Sequence, residues 1–141
     1  MLPYRFFYKG KLKTPEFHLG MIRDMATETH CVTAAPRSGA KSTVLKSRVI
    51  QLLCTAPMNF TILVIQANDL QVRKWLDDCM YQLQENPRIR ADFGDLKPVR
   101  GEGMWSRHVF TTKVNRRRLM GLSVGAKMLG ERPDLIIMDD P

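Results

Sequence analysis

An uninterrupted apolar run followed by an apolar stripe at helical spacing constrains the fold of this chain more than any other feature. The run is Phe60 to Gln66, FTILVIQ, and it is rich in β-branched residues. It predicts a strand that is buried on both faces, as in the middle of a parallel sheet. The stripe predicts an amphipathic helix that Asn86 and Pro87 end. Its members are Val72, Trp75, Leu76, Cys79, Met80 and Leu83.

Upstream of this unit the sequence predicts a helix, a strand, a loop and a second helix in succession. Thr14 to Glu16 offers a capping hydroxyl, a proline and an early acid, which is a typical helix start. One face of this first helix carries Phe17, Met21, Ile22 and Met25. The apolar run 31–34 predicts a short strand. After the loop, helical spacing continues until Pro57, through Leu45, Val49, Leu52 and Leu53.

The loop at 34–43, AAPRSGAKST, is a variant of the phosphate-binding pattern G-x-x-x-x-G-K-[ST]. Ala35 and Ala40 take the two glycine positions, whereas Lys41 and Ser42 keep the lysine and the hydroxyl. The lysine supplies charge to the β- and γ-phosphates, the hydroxyl ligates Mg²⁺, and the helix amino terminus offers N–H groups to an anion. The loop therefore predicts a nucleotide site. Its residues are Pro36, Arg37, Ser38, Gly39, Ala40, Lys41, Ser42 and Thr43.

The apolar segment 133–138 leads into two adjacent carboxylates, Asp139 and Asp140. Because carboxyl ends of parallel strands line the ligand crevice, we expect these groups to lie beside the loop. One carboxylate would then hold Mg²⁺, and the other would orient or deprotonate the attacking water. The alternative is a strand that ends in a solvated acidic turn.

The segment 87–106 is predicted to be a loop, followed by two strands at 108–114 and 119–124. A basic turn joins these strands, and its residues Arg116, Arg117 and Arg118 are predicted to bind double-stranded DNA weakly and without sequence preference. A solvated hairpin tip is the alternative. The chain as a whole has 22 Lys and Arg against 14 Asp and Glu, a formal charge of +8, which favours polyanionic partners.

Composition excludes several other classes of site. The three cysteines are widely spaced among apolar residues, which predicts buried thiols in a reducing compartment and no disulfide framework. The three histidines share no spacing typical of zinc ligands. The amino-terminal residues mix charged and apolar side chains, so neither a signal peptide nor a membrane span is predicted, and a cytoplasmic protein is expected.

Together, these motifs resemble the N-terminal ATPase domain of the large subunit of tailed-phage terminases, the motor that drives DNA into a capsid. The segment APRSGAKST resembles that family's variant Walker A loop, and GAKMLGERPDLIIMDDP at 125–141 resembles the approach to its Walker B strand. Supporting matches are PEFH at 15–18, QENP at 84–87 and ADFG at 91–94. The resemblance covers roughly residues 14–141.

The sequence predicts an irregular basic segment at 1–13, and the resemblance implies a partial P-loop ATPase domain at 14–141. The implied α/β fold is a P-loop NTPase-like parallel sheet flanked by helices and truncated after the Walker B strand. The implied function couples ATP hydrolysis to translocation of double-stranded DNA. The implied partners are the portal protein and the small subunit, with a homo-oligomeric ring in the complete protein, in the cytoplasm of the host of a phage or prophage. The isolated fragment is expected to hydrolyse ATP weakly or not at all.

By the same resemblance, Lys41 and Ser42 contact the triphosphate and Mg²⁺, and Arg37 stabilises charge near the γ-phosphate. Asp139 would hold Mg²⁺, and Asp140 stands where related ATPases often have a catalytic glutamate one methylene longer. Two other functions stay open. The first is a different P-loop ATPase that depends on nucleic acid, such as a helicase. The second is a degenerate remnant that binds DNA or a partner without hydrolysing ATP.

Overall fold

The computed structural model describes residues 14–36, 39–127 and 130–140. The chain divides into two compact units, residues 1–48 and 49–141, which are described one at a time. The helices are α1 (Glu16–Thr27), α2 (Lys41–Thr55), α3 (Asp69–Glu85) and α4 (Pro87–Phe93). The strands are β1 (Thr61–Gln66), β2 (Val109–Thr111), β3 (Arg118–Ser123) and β4 (Leu135–Met138). No helix in these described ranges is long and apolar enough to cross a membrane.

Helix α1 is present in the first unit, but its start and its buried face differ from the prediction. Pro15 takes the cap position with extended backbone, and no side chain caps the helix, so the predicted capping role of Thr14 is wrong. His18 and Met21 are buried, whereas Phe17 is 52% exposed. The apolar pattern failed here because His18, a polar residue, takes the buried position next to Phe17.

The predicted strand at 31–34 is wrong. Residues 31–36 form neither helix nor strand, and the side chain of Val32 is 99% exposed. A strand persists only where its N–H and C=O groups pair with a neighbouring strand. No ladder in the described part of the chain includes this run. An apolar composition over four residues does not replace that pairing.

The second unit contains a four-stranded sheet in the order β2-β3-β1-β4. Strand β1 pairs in parallel with both β3 and β4, so that Ile62 lies between Leu119 and Leu135. Strand β2 runs antiparallel to β3. The prediction of a central, buried strand at 60–66 is therefore confirmed. The mostly parallel sheet flanked by helices also confirms the α/β class of the chain.

Helix α3 packs on β1 and β3 through the predicted stripe. Its buried residues are Val72, Trp75, Leu76, Cys79 and Leu83. Asn68 caps the amino terminus by accepting a hydrogen bond from the Gln71 amide, and Asn86 ends the helix as predicted. The helix approaches the sheet closely at Gly121, where an added Cβ would lie 2.9 Å from Leu76 Cδ1. Glycine at this position thus permits the contact between helix and sheet.

The expectation of a loop throughout 87–106 is wrong in its first part, since Pro87–Phe93 forms α4. Asn86 ends α3 and also caps α4, because its side chain accepts a hydrogen bond from the Arg88 amide. Proline at the first helical position suits this start, since its missing N–H has no helical partner to lose. The pair Asn86–Pro87 therefore marks a boundary between two helices and not the end of helical structure.

Two exposed ion pairs connect α3 to the segment before β2. Asp77 pairs with Arg107 and raises the pKa of that guanidinium. Asp69 lies 2.7 Å from His108 Nε2, and the hydrogen bond with His108 lowers the pKa of the Asp69 carboxyl, with a further contribution from Arg73. Solvent screens such exposed pairs, so their contribution to stability is small.

The cysteines differ from the prediction in one case. Cys54 and Cys79 are buried, but Cys31 is exposed in the coil that replaces the predicted strand. Burial raises the pKa of the Cys54 thiol to about 11, although the charge of Arg117 opposes this shift. Cys54 therefore stays protonated and unreactive at neutral pH.

Candidate functional site

Pro36 and Gly39, two described residues of the phosphate loop, lie close together before α2. The Gly39 amide donates a hydrogen bond to the Pro36 carbonyl oxygen at 3.0 Å. An added Cβ on Gly39 would lie 2.9 Å from that same oxygen, so this position admits only glycine without a shift. Arg37 and Ser38, predicted to contact the nucleotide, lie outside the described residues.

Ala40 adopts a left-handed backbone conformation, with φ of +53°. This residue occupies the second glycine position of the phosphate-loop pattern. An L-residue with a Cβ is strained in this region by about 1 kcal/mol, whereas glycine is not. The loop thus keeps a conformation suited to glycine although the glycine has been replaced.

Helix α2 begins directly after this strained residue. The Val44 amide donates to the Ala40 carbonyl oxygen at 3.1 Å, which closes the first helical turn. Lys41, Ser42 and Thr43 are the first three helical residues, and each is partly exposed. The first turn of a helix has N–H groups without helical acceptors, so these residues and amides together suit an anion.

Ala40→Gly is expected to raise the free energy of unfolding by about 1 kcal/mol, because it relieves the left-handed strain. Urea denaturation followed by circular dichroism measures this change. Ala35→Gly is the matched control, since Ala35 stands at the other glycine position without a positive φ. It should leave stability unchanged or lower it. Equal losses in both variants would contradict the strain at Ala40.

His18 supports the loop from α1, and the sequence did not indicate this role. Its Nε2 lies 2.6 Å from the Gly39 carbonyl oxygen, and its side chain is 1% exposed. Because a carbonyl only accepts, the Nε2 atom carries the proton and donates. The bond joins residues 21 positions apart, so only the folded structure reveals it.

In the second unit, Asp139 follows β4 directly. Its amide donates to the Ile65 carbonyl oxygen at 3.1 Å, which extends the pairing with β1 by one residue. Its Oδ2 accepts a hydrogen bond from Trp75 Nε1 at 3.0 Å, and the residue is only 5% exposed. A carboxylate has about four lone-pair positions, so this bond leaves capacity for a hard cation. Asp139 therefore fits the predicted magnesium ligand.

Asp140 lies in a different environment from its neighbour. Its side chain is exposed, and its φ of +47° turns the chain at the end of β4. Aspartate tolerates this left-handed region better than most residues. The structure thus separates a buried carboxylate, Asp139, from an exposed one, Asp140, which is compatible with two different chemical roles.

Gln66 is a second polar residue at this end of the sheet, and its sequence pattern predicts only that it belongs to the strand. It ends β1 and follows Ile65, whose register partner Met138 precedes Asp139. The side chain is 5% exposed, and its amide nitrogen has no hydrogen-bond partner among the described residues. A buried donor without an acceptor costs about 1–3 kcal/mol. An oxygen-rich ligand at this end of the sheet would satisfy it.

The three arginines predicted to bind DNA have different surroundings. Arg117 is buried, and its Nη1 donates to the carbonyl oxygens of Leu53 and Cys54 at 3.2 and 2.9 Å. Its Nε donates to the Ala56 carbonyl. Arg118 pairs with Glu131 at 3.0 Å, whereas Arg116 is exposed. Contact between Arg117 and a phosphate would break its bonds to the end of α2.

A metal cluster built from protein groups alone is not found in the described ranges, where no three His, Cys, Asp or Glu side chains are suitably placed. The predicted magnesium site does not require one. Mg²⁺ in nucleotide sites takes most of its ligands from phosphate oxygens and water, with one or two from the protein. Ser42 and Asp139 are the residues predicted to supply these.

No family model matches the chain, and no curated protein matches it.

Proposed function

We propose that this chain binds ATP and Mg²⁺ and is the ATPase part of a viral DNA-packaging motor, the large subunit of a terminase. One observation carries the proposal. Lys41 and Ser42 begin a helix directly after Ala40, whose backbone retains the left-handed conformation suited to glycine. The variant loop therefore supports nucleotide binding despite the two alanines in its pattern.

The loop residues would bind the triphosphate. The Lys41 ammonium would neutralise oxygens of the β- and γ-phosphates, and the amides of the first turn of α2 would donate hydrogen bonds to them. Ser42 would ligate Mg²⁺ through its hydroxyl, and Arg37 would stabilise charge on the transferring group. Bound Mg²⁺ supplies neutralisation of the phosphate charge.

The carboxylates after β4 would complete the chemistry. Trp75 holds Asp139 by a hydrogen bond, so that its remaining lone pairs are oriented before a cation arrives. Asp140 would accept the proton of the attacking water, a role for which its exposure is suitable. The side-chain nitrogen of Gln66, which has no partner among the residues that the structure describes, would donate to a water or a phosphate oxygen at the same end of the sheet.

The proposed activity couples ATP hydrolysis to translocation of double-stranded DNA into a capsid. A formal charge of +8 supports a polyanionic partner, because basic residues attract the DNA backbone. The portal protein, the small subunit and a homo-oligomeric ring complete the proposal by resemblance to terminases. The proposed location is the cytoplasm of the host cell.

Asp139→Asn tests the magnesium part of the site. The amide oxygen of asparagine can still accept from Trp75 Nε1, so the fold should be retained. A neutral amide is a poor ligand for a hard cation, so the gain in ATP affinity on adding Mg²⁺ should fall by about tenfold. Isothermal titration with ATP, in Mg²⁺ and in chelator, measures that gain. The control is Asp92→Asn, an equal charge change on the exposed face of α4. The same magnesium effect in both variants would contradict the assignment of Asp139.

A further inference from the structure

A cavity of about 710 Å³ lies at the amino-terminal end of the sheet in the second unit. Three positively charged residues, Lys113, Arg116 and Arg118, are part of its lining. Glu102 is the acidic residue in that lining, and Asn59 and Thr61 add neutral polar groups. The cavity is built from residues 59–118 alone.

The position of the cavity separates it from the carboxylates of the proposed ATP site. Thr61 and Arg118 are the first residues of β1 and β3, and they are register partners. Asp139 and Gln66 lie at the opposite, carboxyl-terminal end of the same sheet. Six strand residues at about 3.3 Å each separate the two ends by roughly 17–20 Å. A ligand in the cavity would therefore not share these carboxylates.

Hydrogen bonds to three other segments fix the backbone of the turn that carries the cationic residues Lys113 and Arg116. The Asn115 carbonyl oxygen accepts a hydrogen bond from the Asn59 amide at 2.8 Å, and the Lys113 amide donates to the Leu96 carbonyl oxygen at 2.8 Å. Arg117 anchors the same turn to the end of α2. The turn therefore presents Lys113 and Arg116 from a fixed backbone, which lowers the entropic cost of binding.

The charge balance of the cavity lining favours an anion. Three cationic side chains face one lining carboxylate, Glu102, while Glu131 engages Arg118 from outside the lining. The lining by itself is therefore positive, and outside it the Asp134 Oδ2 accepts a hydrogen bond from the Thr61 amide at 2.8 Å. Arginine and lysine are donors that suit phosphate oxygens, whereas the hydroxyls of Thr61 and Thr112 already donate to backbone carbonyl oxygens.

We propose that this cavity binds phosphate groups. The phosphate could belong to a nucleic-acid backbone or to a free phosphorylated small molecule, and the volume admits either. Binding of a nucleic-acid backbone rests on the proposed function, since a packaging motor must hold duplex DNA. Binding of a small phosphorylated molecule does not depend on that function. The bound group would contact Arg116 and Lys113 first, because Arg118 is shared with Glu131.

Two single variants test the proposal. Arg116→Gly removes a guanidinium at a residue whose φ is +49°, where glycine is favoured, so weaker binding cannot be attributed to a damaged turn. Lys113→Gln removes the second charge. Lys74→Gln is the control. Lys74 is exposed on α3 and does not line the cavity, so this substitution removes the same charge at a different place. The probes are a labelled DNA duplex, measured by anisotropy over a salt series, and pyrophosphate, measured by titration calorimetry.

We expect Arg116→Gly and Lys113→Gln each to weaken binding of at least one probe by roughly tenfold, while Lys74→Gln binds as the wild type does. Each lost phosphate contact should also reduce the salt slope of duplex binding by about one. Weakening for the duplex alone assigns the cavity to DNA. Weakening for pyrophosphate alone assigns it to small phosphorylated ligands. Unchanged binding of both probes in both variants overturns the proposal. ATP binding that depends on Lys41, measured on the same proteins, reports separately on the proposed function.

Discussion

Arg117→Met is expected to lower the free energy of unfolding by about 3 kcal/mol, the largest of the stability effects that we predict. Arg117 is buried and donates hydrogen bonds to three carbonyl oxygens, those of Leu53, Cys54 and Ala56. These carbonyls lie at and just beyond the end of α2, where no further helical turn supplies donors. Methionine fills similar volume but leaves them unsatisfied, at about 1–3 kcal/mol for each buried group.

Urea denaturation of Arg117→Met measures this loss, with Arg118→Met as the matched control. Arg118 is adjacent in sequence, but its partner is the surface carboxylate of Glu131, so its replacement should cost less than about 1 kcal/mol. Burial of the charged guanidinium also has a desolvation cost, and the helix carbonyls and dipole offset it. Equal losses in the two variants would show that the helix contacts of Arg117 do not stabilise the fold.

Lys41→Ala is expected to weaken ATP binding by on the order of a hundredfold, the largest functional effect that the proposal predicts. The ammonium of Lys41 is the compact charge at the loop that the pattern assigns to the β- and γ-phosphates. Alanine has the highest helix propensity, so the first turn of α2 should form at least as well in the variant. The loss would therefore report on phosphate contact and not on folding.

The matched control for this variant is Lys46→Ala, which removes the same charge from the same helix beyond its first turn. Equilibrium dialysis or calorimetry with ATP should give an affinity within about threefold of the wild type for this control. Equal weakening in both variants would mean that general positive charge, and not the loop, attracts the nucleotide. Unchanged affinity in Lys41→Ala would remove the loop from the site.

The parts of the fold that follow from local periodicity could be predicted from the sequence. The middle of strand β1 is apolar, and α3 repeats its apolar residues at helical spacing, so both patterns predict the buried central strand and the buried face of the helix. The run 31–34 looked equally apolar, but β structure depends on a partner strand that the run itself does not encode. The pair Asn86–Pro87 predicts the end of a helix, but the same two residues also begin α4.

The candidate site was predictable only where residues adjacent in sequence act together. Lys41 and Ser42, and likewise Asp139 and Asp140, are contiguous, so a pattern could identify them. His18, Gln66 and the structural role of Arg117 depend on contacts between distant positions, which no local pattern contains. For Gln66 one signal existed, because a polar side chain ends an otherwise apolar buried strand.

Titration of the wild-type chain with ATP, in Mg²⁺ and again in chelator, tests the central claim most directly. We expect a saturable heat that corresponds to one ATP per chain, with tighter binding when Mg²⁺ is present, because Ser42 and Asp139 are the proposed protein ligands of the metal. AMP, which lacks the β- and γ-phosphates, should bind far more weakly. The absence of any saturable heat with ATP in either condition would contradict the proposal that this chain is the nucleotide-binding part of a motor.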